Sequence, residues 1–556
     1  VNPSKSNAPQ AGSGLLDSVP SMSRRRFFQV AGFTVAVGSS STLLAACAGS
    51  EPSSGGSSST DRLVVSSASA TTSYDPDVPE GAVPIVPMVY DALFNTALPG
   101  NDAEAQAKLN NYEPTPGLAK SWTVNDAGTV WTFQLDTAAK SVAGNNLTAE
   151  DVVWSMSRHL AMDHYQGFFL NNLAVETPGQ IVALSDSEVQ FTLSRPVNRT
   201  YFLQVLGGYI MSIFDSQEAK KHVTDADPWA KDWLGKNVAT FGPYNVKSST
   251  PDGSQAEYEA NTGYYGTKPI PTVVWRQTTE SSAALQLLLS GDVQLIDPIS
   301  PQQTESVESS SNAKVNYVPS PGGVFLGFNS AIAPFGDVAF RQGVAAALPV
   351  TDIVDGIYKG KATLSKSVIP SFYQGYTDAY AYSSDAAKAK SMLAPFASQK
   401  LTLQYKAGDA AAQGLAVAVQ TGMNAAGVPI EIEGLNPASY QTMLNNKELS
   451  WWVDPQSTPL VPNTLYRLQQ LFVTEPIQAC LNYSNPELDA VVAQIEVEQN
   501  VDTQKQLFAR AQEILMRDLP IIPLVDLPKN TPSAKNVTGF EFDSSAAAWF
   551  KDLQYS

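Results

Sequence analysis

Two residue periodicities alternate along almost the whole chain, and that alternation limits the folds open to it. Leu63-Val64-Val65 is a short apolar run of the kind a buried strand needs. Trp131-Thr132-Phe133-Gln134-Leu135 and Val189-Gln190-Phe191-Thr192-Leu193 alternate apolar and polar, which predicts two half-buried strands of an antiparallel sheet. Leu401, Leu403 and Tyr405 alternate in the same way, and so do Ile430 and Ile432. Helical signals lie between these strands. Thr148-Ala149-Glu150-Asp151 has the spacing of an N-cap with an acid three residues on, and Val152, Met156 and Leu160 then share one face. Asn485-Pro486 reads as the cap and first residue of a helix, and Leu507, Phe508, Ala511, Ile514 and Leu515 recur at helical spacing. Interleaved strands and helices without a repeat of fixed period predict an α/β architecture. With 556 residues, two or three domains are expected at roughly 100–200 residues each.

The first fifty residues carry an address. Ser23-Arg24-Arg25-Arg26-Phe27-Phe28 resembles the twin-arginine export motif, with Arg24 and Arg25 as its pair. A mild apolar stretch from Phe27 to Ala46 follows and ends in Leu44-Ala45-Ala46-Cys47, which looks like a lipobox with Cys47 as the lipid attachment point. The apolar stretch is about long enough for a plain transmembrane anchor. The order of arginine flank, apolar stretch and small-residue cleavage site favours a cleaved signal instead. Residues 1–47 are therefore expected to be a signal, with Met22 a more ordinary start than Val1. Residues 48–60, nearly all serine, glycine and alanine, read as a flexible tether. The mature chain is then expected on the outer face of the cell membrane, held by lipid.

Composition excludes several classes. The formal charge of −18, from 53 acids against 35 bases, argues against nucleic acid and against adhesion to anionic headgroups. Two cysteines and three histidines are too few for an all-protein zinc or iron–sulfur site, and they thin out a histidine-dependent catalytic triad, so no metal or cofactor is expected. If lipid takes Cys47, Cys480 has no intrachain disulfide partner. Gly356 to Thr363 only echoes a phosphate loop, one residue short and with Ala362 after the lysine; Gly322, Gly323 and Gly327 do not form a dinucleotide fingerprint. His159 and His164 are five apart and share no helix face suited to a metal.

Several segments from Leu63 to about Leu527 together resemble extracellular solute-binding protein family 5, the peptide/nickel type. Val89 to Phe94 is similar to the family's early helix, and Pro116 to Trp122 to its "P-x-L-A-x-x-W" segment. Leu147-Thr148-Ala149-Glu150-Asp151-Val152-Val153 resembles "L-T-A-E-D-V-V". Gly242-Pro243-Tyr244, Asn261 to Tyr265, Leu289 to Asp292, Phe328-Asn329 with Pro334-Phe335, Asp337 and Arg341-Gln342, and Tyr483 to Asp489 follow in the family's order. Most of these motifs are structural: Gly242-Pro243-Tyr244 is a turn into a strand, Thr148 starts a helix and Asp337 caps another. Pro349 is expected to end the helix that carries Arg341.

The resemblance implies a two-lobed, periplasmic-binding-protein-like α/β fold with an extra subdomain inserted in the first lobe. Lobe I is expected over 61–96, 235–322 and 523–556, the insert over 97–234, and lobe II over 323–522. Ligand would be caught in the cleft by hinge closure. Peptide binders of the family usually place an amine-gripping aspartate after a tryptophan-rich strand. The matching residues here are Trp451-Trp452-Val453-Asp454-Pro455-Gln456, with one acid and a compressed spacing. Asp454 is the leading candidate for ligand contact, against an alternative reading as a turn-starting Asp-Pro. Trp451 and Trp452 would face opposite sides of a strand, one in the core and one lining the cleft. Tyr74 and Asp75 lie in the first-lobe loop where the family often meets its ligand, and they also fit an ordinary Tyr-Asp-Pro turn.

The function implied is that of a monomeric receptor lipoprotein of an ABC importer, handing a small ligand to the permease subunits. Peptides or peptide-like compounds lead; an oligosaccharide, opine or metal chelate keeps the same fold. A secreted hydrolase is the alternative from another class, and no nucleophile–histidine arrangement supports it.

Overall fold

The computed structural model describes residues 60–78, 85–95, 97–99, 114–162, 164–318, 322–371, 373–379, 384–457, 460–543 and 548–556. Arg24, Arg25 and Cys47 lie outside the described residues.

In chain order the elements used below are β1 (Arg62–Ser67), β2 (Ala119–Val124), β3 (Val130–Leu135), α1 (Ala149–Ala161), β4 (Ile181–Ser185), β5 (Glu188–Thr192) and α2 (Arg199–Gly207). They continue with β6 (Tyr244–Ser249), β7 (Gln255–Ala260), β8 (Thr272–Gln277), β9 (Leu295–Ile296), β10 (Ala313–Val318), β11 (Gly323–Phe328) and α3 (Val338–Ala347). The last are β12 (Thr363–Leu364), β13 (Thr402–Lys406), β14 (Glu431–Leu435), β15 (Trp451–Ser457), α4 (Thr464–Leu471), α5 (Pro486–Val497), α6 (Val501–Asp518), β16 (Ile521–Asp526) and β17 (Lys529–Ala534).

Three sheets organise the chain. The first has the order β10-β17-β9-β1-β8-β7-β6, with β1 parallel to β8 and β9. The second has the order β12-β16-β11-β15-β13-β14, with β13 parallel to β14 and β15. The third, β2-β3-β5-β4, is antiparallel and lies in the segment between β1 and β6. This is the mixed α/β fold expected, and the paired strands β3 and β5 are those read from the alternating runs.

The helix signals hold at atomic level. Thr148 N–H donates to Asp151 Oδ2 at 2.8 Å, closing the capping box of α1, and Val152 and Met156 are fully buried. Asp337 Oδ1 accepts from Ala339 N–H at 2.7 Å, and Asn485 Oδ1 accepts from Glu487 N–H at 2.9 Å. The helix carrying Arg341 ends at Ala347, before Pro349. One element differs. The early helix spans Val86–Val89, and Tyr90 is already extended, so the helix expected from Val89 to Phe94 is displaced toward the N-terminus. Pro87 at the first turn starts it there. Asp91 is drawn out of it by Tyr264 Oη at 2.9 Å and Tyr265 Oη at 2.8 Å, which both donate to its Oδ2.

The direction of the strands positions the site. The chain crosses between the two large sheets twice, from β10 to β11 and from β16 to β17. The crossings leave side by side, with Val318 paired to Lys529 and Val324 to Val525. β9 runs antiparallel to β17 toward that crossing, where Asn530 Oδ1 accepts from Ile299 N–H at 2.9 Å. β15 is antiparallel to β11, and so is β16, so β15 and its parallel neighbours also end at the crossing. The carboxyl ends of the parallel strands of both sheets therefore lie toward the crossing, the side on which open α/β sheets take ligands.

Candidate functional site

Asp454 lies on β15, in register with Phe325 of β11, and is half-buried. It belongs to a strand, so the turn-starting reading is set aside. Arg467 of α4 approaches the same wall: its guanidinium stands 5.6 Å from the centroid of the Phe325 ring, and the residue is 2% exposed. Burial pulls the Arg467 pKa down, and the Asp454 carboxylate opposes that pull. Burial pushes the Cys480 thiol up to about 12, and the Asp454 charge adds to it. Tyr440 Oη donates to Val453 O at 2.9 Å beneath the acid; burial raises its pKa, and Asp454 raises it further. A carboxylate and a guanidinium thus influence one another through a medium of low polarity, where charge interactions are strong.

Two further acids stand at strand ends beside the crossing. Asp297, just past β9, accepts from Ser67 Oγ at 2.9 Å and Ala68 N–H at 2.7 Å. Asp526, the last residue of β16, accepts from Ser365 Oγ at 2.5 Å. Burial raises the pKa of both. Arg467 and Asp526 line one narrow recess with Gly323, Phe325, Ser365 and Ser367. Beside the crossing, Ile299, Tyr317, Lys361, Lys529 and Asn530 enclose a cavity of about 110 Å³ with walls from both halves of the chain. Lys361 Nζ meets Glu308 Oε1 there at 2.7 Å.

The other residues singled out in the sequence are placed differently. Trp451 and Trp452 are both fully buried. Trp451 stacks on Phe328 at 5.9 Å between Phe335 and Phe340. The Trp452 indole lies over Gly327, where an added Cβ would come within 2.3 Å of its Cε2 atom. The strand alternates as expected, but each face of the sheet is a core, so neither ring lines the crevice. Tyr74 is 2% exposed and sits edge-on to Tyr258. Asp75 is committed elsewhere: its two carboxylate oxygens accept from Arg158 of α1 at 2.8 and 2.6 Å. Arg158 also donates to Asp77 at 2.5 Å, and the other Asp77 oxygen meets His159 Nδ1 at 2.6 Å. His159 Nε2 faces Ser212 O at 3.0 Å. These four side chains pin the loop after β1 to α1 in the segment between β1 and β6, which is a structural task. Sequence reasoning missed Arg467, Asp297 and Asp526. The signal available was their place just after strand-like runs or, for Arg467, four residues beyond the helix cap Asn463. No group of three or more metal-type side chains gathers among the described residues, and no helix among them is long and apolar enough to cross a membrane.

A family model, "Bacterial extracellular solute-binding proteins, family 5 Middle", matches residues 113–476. This chain belongs to that family. As a family 5 protein it is a solute-binding receptor of the ABC-transport kind that works outside the cytoplasm, and not an enzyme. It is 26% identical over 434 residues to a probable D,D-dipeptide-binding periplasmic protein of Escherichia coli (strain K12), covering 77% of this chain and 82% of the relative. The fold is similar to that of the substrate-binding protein CtaP from Listeria monocytogenes, with a TM-score of 0.76 at 20% identity, over 89% of this chain and 99% of that one. It is also similar to the periplasmic binding protein DppA from Helicobacter pylori in complex with the peptide STSA, with a TM-score of 0.70 at 22% identity, over 89% of this chain and 98% of that one.

Proposed function

We propose that this family 5 receptor captures a peptide or peptide-like ligand in the crevice between its two large sheets and hands it to the permease subunits of an importer. One observation carries the reading: Asp454 and the buried Arg467 stand together on the wall where the parallel strands of both sheets end. A carboxylate beside a guanidinium offers one partner to an ammonium group and one to a carboxylate, the two ends of a short peptide. The dipeptide-binding and peptide-bound relatives support the same ligand class.

The anchor and export route are part of the proposal. Cys47 carries the lipid, Arg24 and Arg25 direct export of the folded chain, and the serine-rich tether lifts the receptor off the membrane. More than one acyl chain on Cys47 makes the hold durable.

Mass spectrometry of whatever leaves the purified protein on denaturation tests the ligand. A short peptide or peptide-like compound is expected. An oligosaccharide, an opine or a metal chelate in its place overturns the ligand class while leaving the receptor role.

A further inference from the structure

The narrow recess beside Arg467 is too small for most side chains. We propose that it receives the side chain of the ligand's carboxyl-terminal residue, and that it restricts the ligand to short peptides ending in glycine or alanine. The proposal rests on the peptide-receptor reading above and deepens it.

The recess stands at the crossing. Gly323 opens β11 and Asp526 closes β16, where the two crossing segments meet the second sheet, and both residues line it. Phe325, paired with Pro523, continues the lining. Arg467 stands over Phe325, with its guanidinium 5.6 Å from the ring centroid, and Asp454 is the β15 residue in register with the same Phe325. The two charged anchors thus flank one side chain. Two extended residues span about 7 Å, which suits anchors so close. A peptide whose carboxylate meets Arg467 carries its last side chain to the mouth of the recess that Arg467 lines.

The space is small and its walls are held. About 10 Å³ is free within it, the room of one water molecule or one methyl group. One wall is the loop after β12, which contributes Ser365, Ser367 and Pro370. That loop is tied down along its length. Ser365 Oγ donates to Asp526 Oδ1 at 2.5 Å, and Ser367 Oγ donates to Oε1 of Gln512, a fully buried residue of α6, at 2.7 Å. The same Gln512 oxygen accepts from Thr377 N–H at 3.0 Å, and Gln512 Nε2 donates to Gly375 O at 2.6 Å. Thr464 Oγ1 of α4 donates to Gln374 O at 2.5 Å. Pro370 and Pro523 stiffen the backbone on two sides. A larger side chain has to push these groups apart, which carries the cost of overpacking a filled core. Gly323 leaves the last of the room. A Cβ added there would lie 3.7 Å from Asp526 Oδ1, ordinary contact distance, so alanine fits at this position while using up the space.

The test is calorimetry on the full chain, stripped of bound compounds, with the dipeptides Ala-Gly, Ala-Ala, Ala-Val and Ala-Phe. Ala-Gly and Ala-Ala should bind, and Ala-Val and Ala-Phe should bind about tenfold to a hundredfold more weakly than Ala-Ala. Val-Ala locates the effect: it should bind more tightly than Ala-Val, and an equal or weaker affinity overturns the assignment of the recess to the carboxyl-terminal residue. Gly323→Ala should widen the ratio between Ala-Gly and Ala-Ala by about a further tenfold. Affinities for the first four dipeptides within about threefold of one another, or a ratio that Gly323→Ala leaves unchanged, overturn the inference and leave the receptor reading standing. A native chain that binds none of these dipeptides refutes the peptide reading itself, and the inference with it.

Discussion

Replacing Arg158 with methionine leaves two carboxylates stranded where water does not reach. The side chains of Arg158, Asp75 and Asp77 are all 0% exposed. Removing one partner of so buried an arrangement costs about 3–5 kcal/mol, against about 0–1 kcal/mol for an exposed pair. The substitution also deletes the Arg158 Nε bond to Trp229 O at 3.0 Å and the guanidinium–ring contact with Phe214 at 5.0 Å. Urea unfolding at neutral pH, followed through the tryptophan fluorescence of the segment between β1 and β6, measures the loss. The pH dependence has a defined sign. Burial pushes the Asp77 carboxyl up, and the charges of His159 and Arg158 outweigh it, so its pKa lies below the ordinary 3.8. Its contribution is present above the unfolded value and is lost as pH falls through the folded one. The variant, whose two acids lack the guanidinium, regains stability relative to the native chain as acid neutralises them. A loss under about 1 kcal/mol, or a gap that does not narrow in acid, would falsify the claim that this network pins the loop after β1 to α1.

Asp526→Asn should raise the melting temperature at neutral pH, because burial lifts the pKa of this acid and the amide keeps an oxygen for Ser365; the gain should vanish below the unfolded carboxylate range. Cys480, with its thiol pushed up to about 12, should resist a disulfide reagent at pH 8 in the native protein and react in urea. Cys47→Ala should move the protein from the membrane to the soluble fraction, and retention of that variant would refute the lipid anchor. Changing Arg24 and Arg25 to lysine should block export, whereas normal export would point to a general secretory route.

Much of the fold was legible because local signals carry it. The capping box at Thr148, the N-cap at Asp337, the alternation of Trp131 to Leu135 and the order of the family motifs all describe backbone that neighbouring residues decide. The site was less legible because its parts come together only through the crossings. Asp454 stood out as a candidate from the tryptophan pair before it. Its partner Arg467 sits on a helix thirteen residues on, and nothing local marks that residue as facing the crevice. Asp75 misled for the complementary reason: a Tyr-Asp-Pro loop looks free until Arg158, far along the chain, takes both of its oxygens. The tryptophans misled because alternation tells which face a side chain takes, not whether that face is covered.

The central claim, capture of a ligand at the Asp454 wall, is tested most directly by calorimetry with the compound released from the purified protein. Ligand-stripped protein should bind it at one per chain and return it chemically unaltered. Asp454→Asn should weaken binding by about two to four decades, the equivalent of roughly 3–5 kcal/mol for a buried charge pair broken on one side. A change under about threefold, near 0.7 kcal/mol, or recovery of an altered compound, would contradict the account.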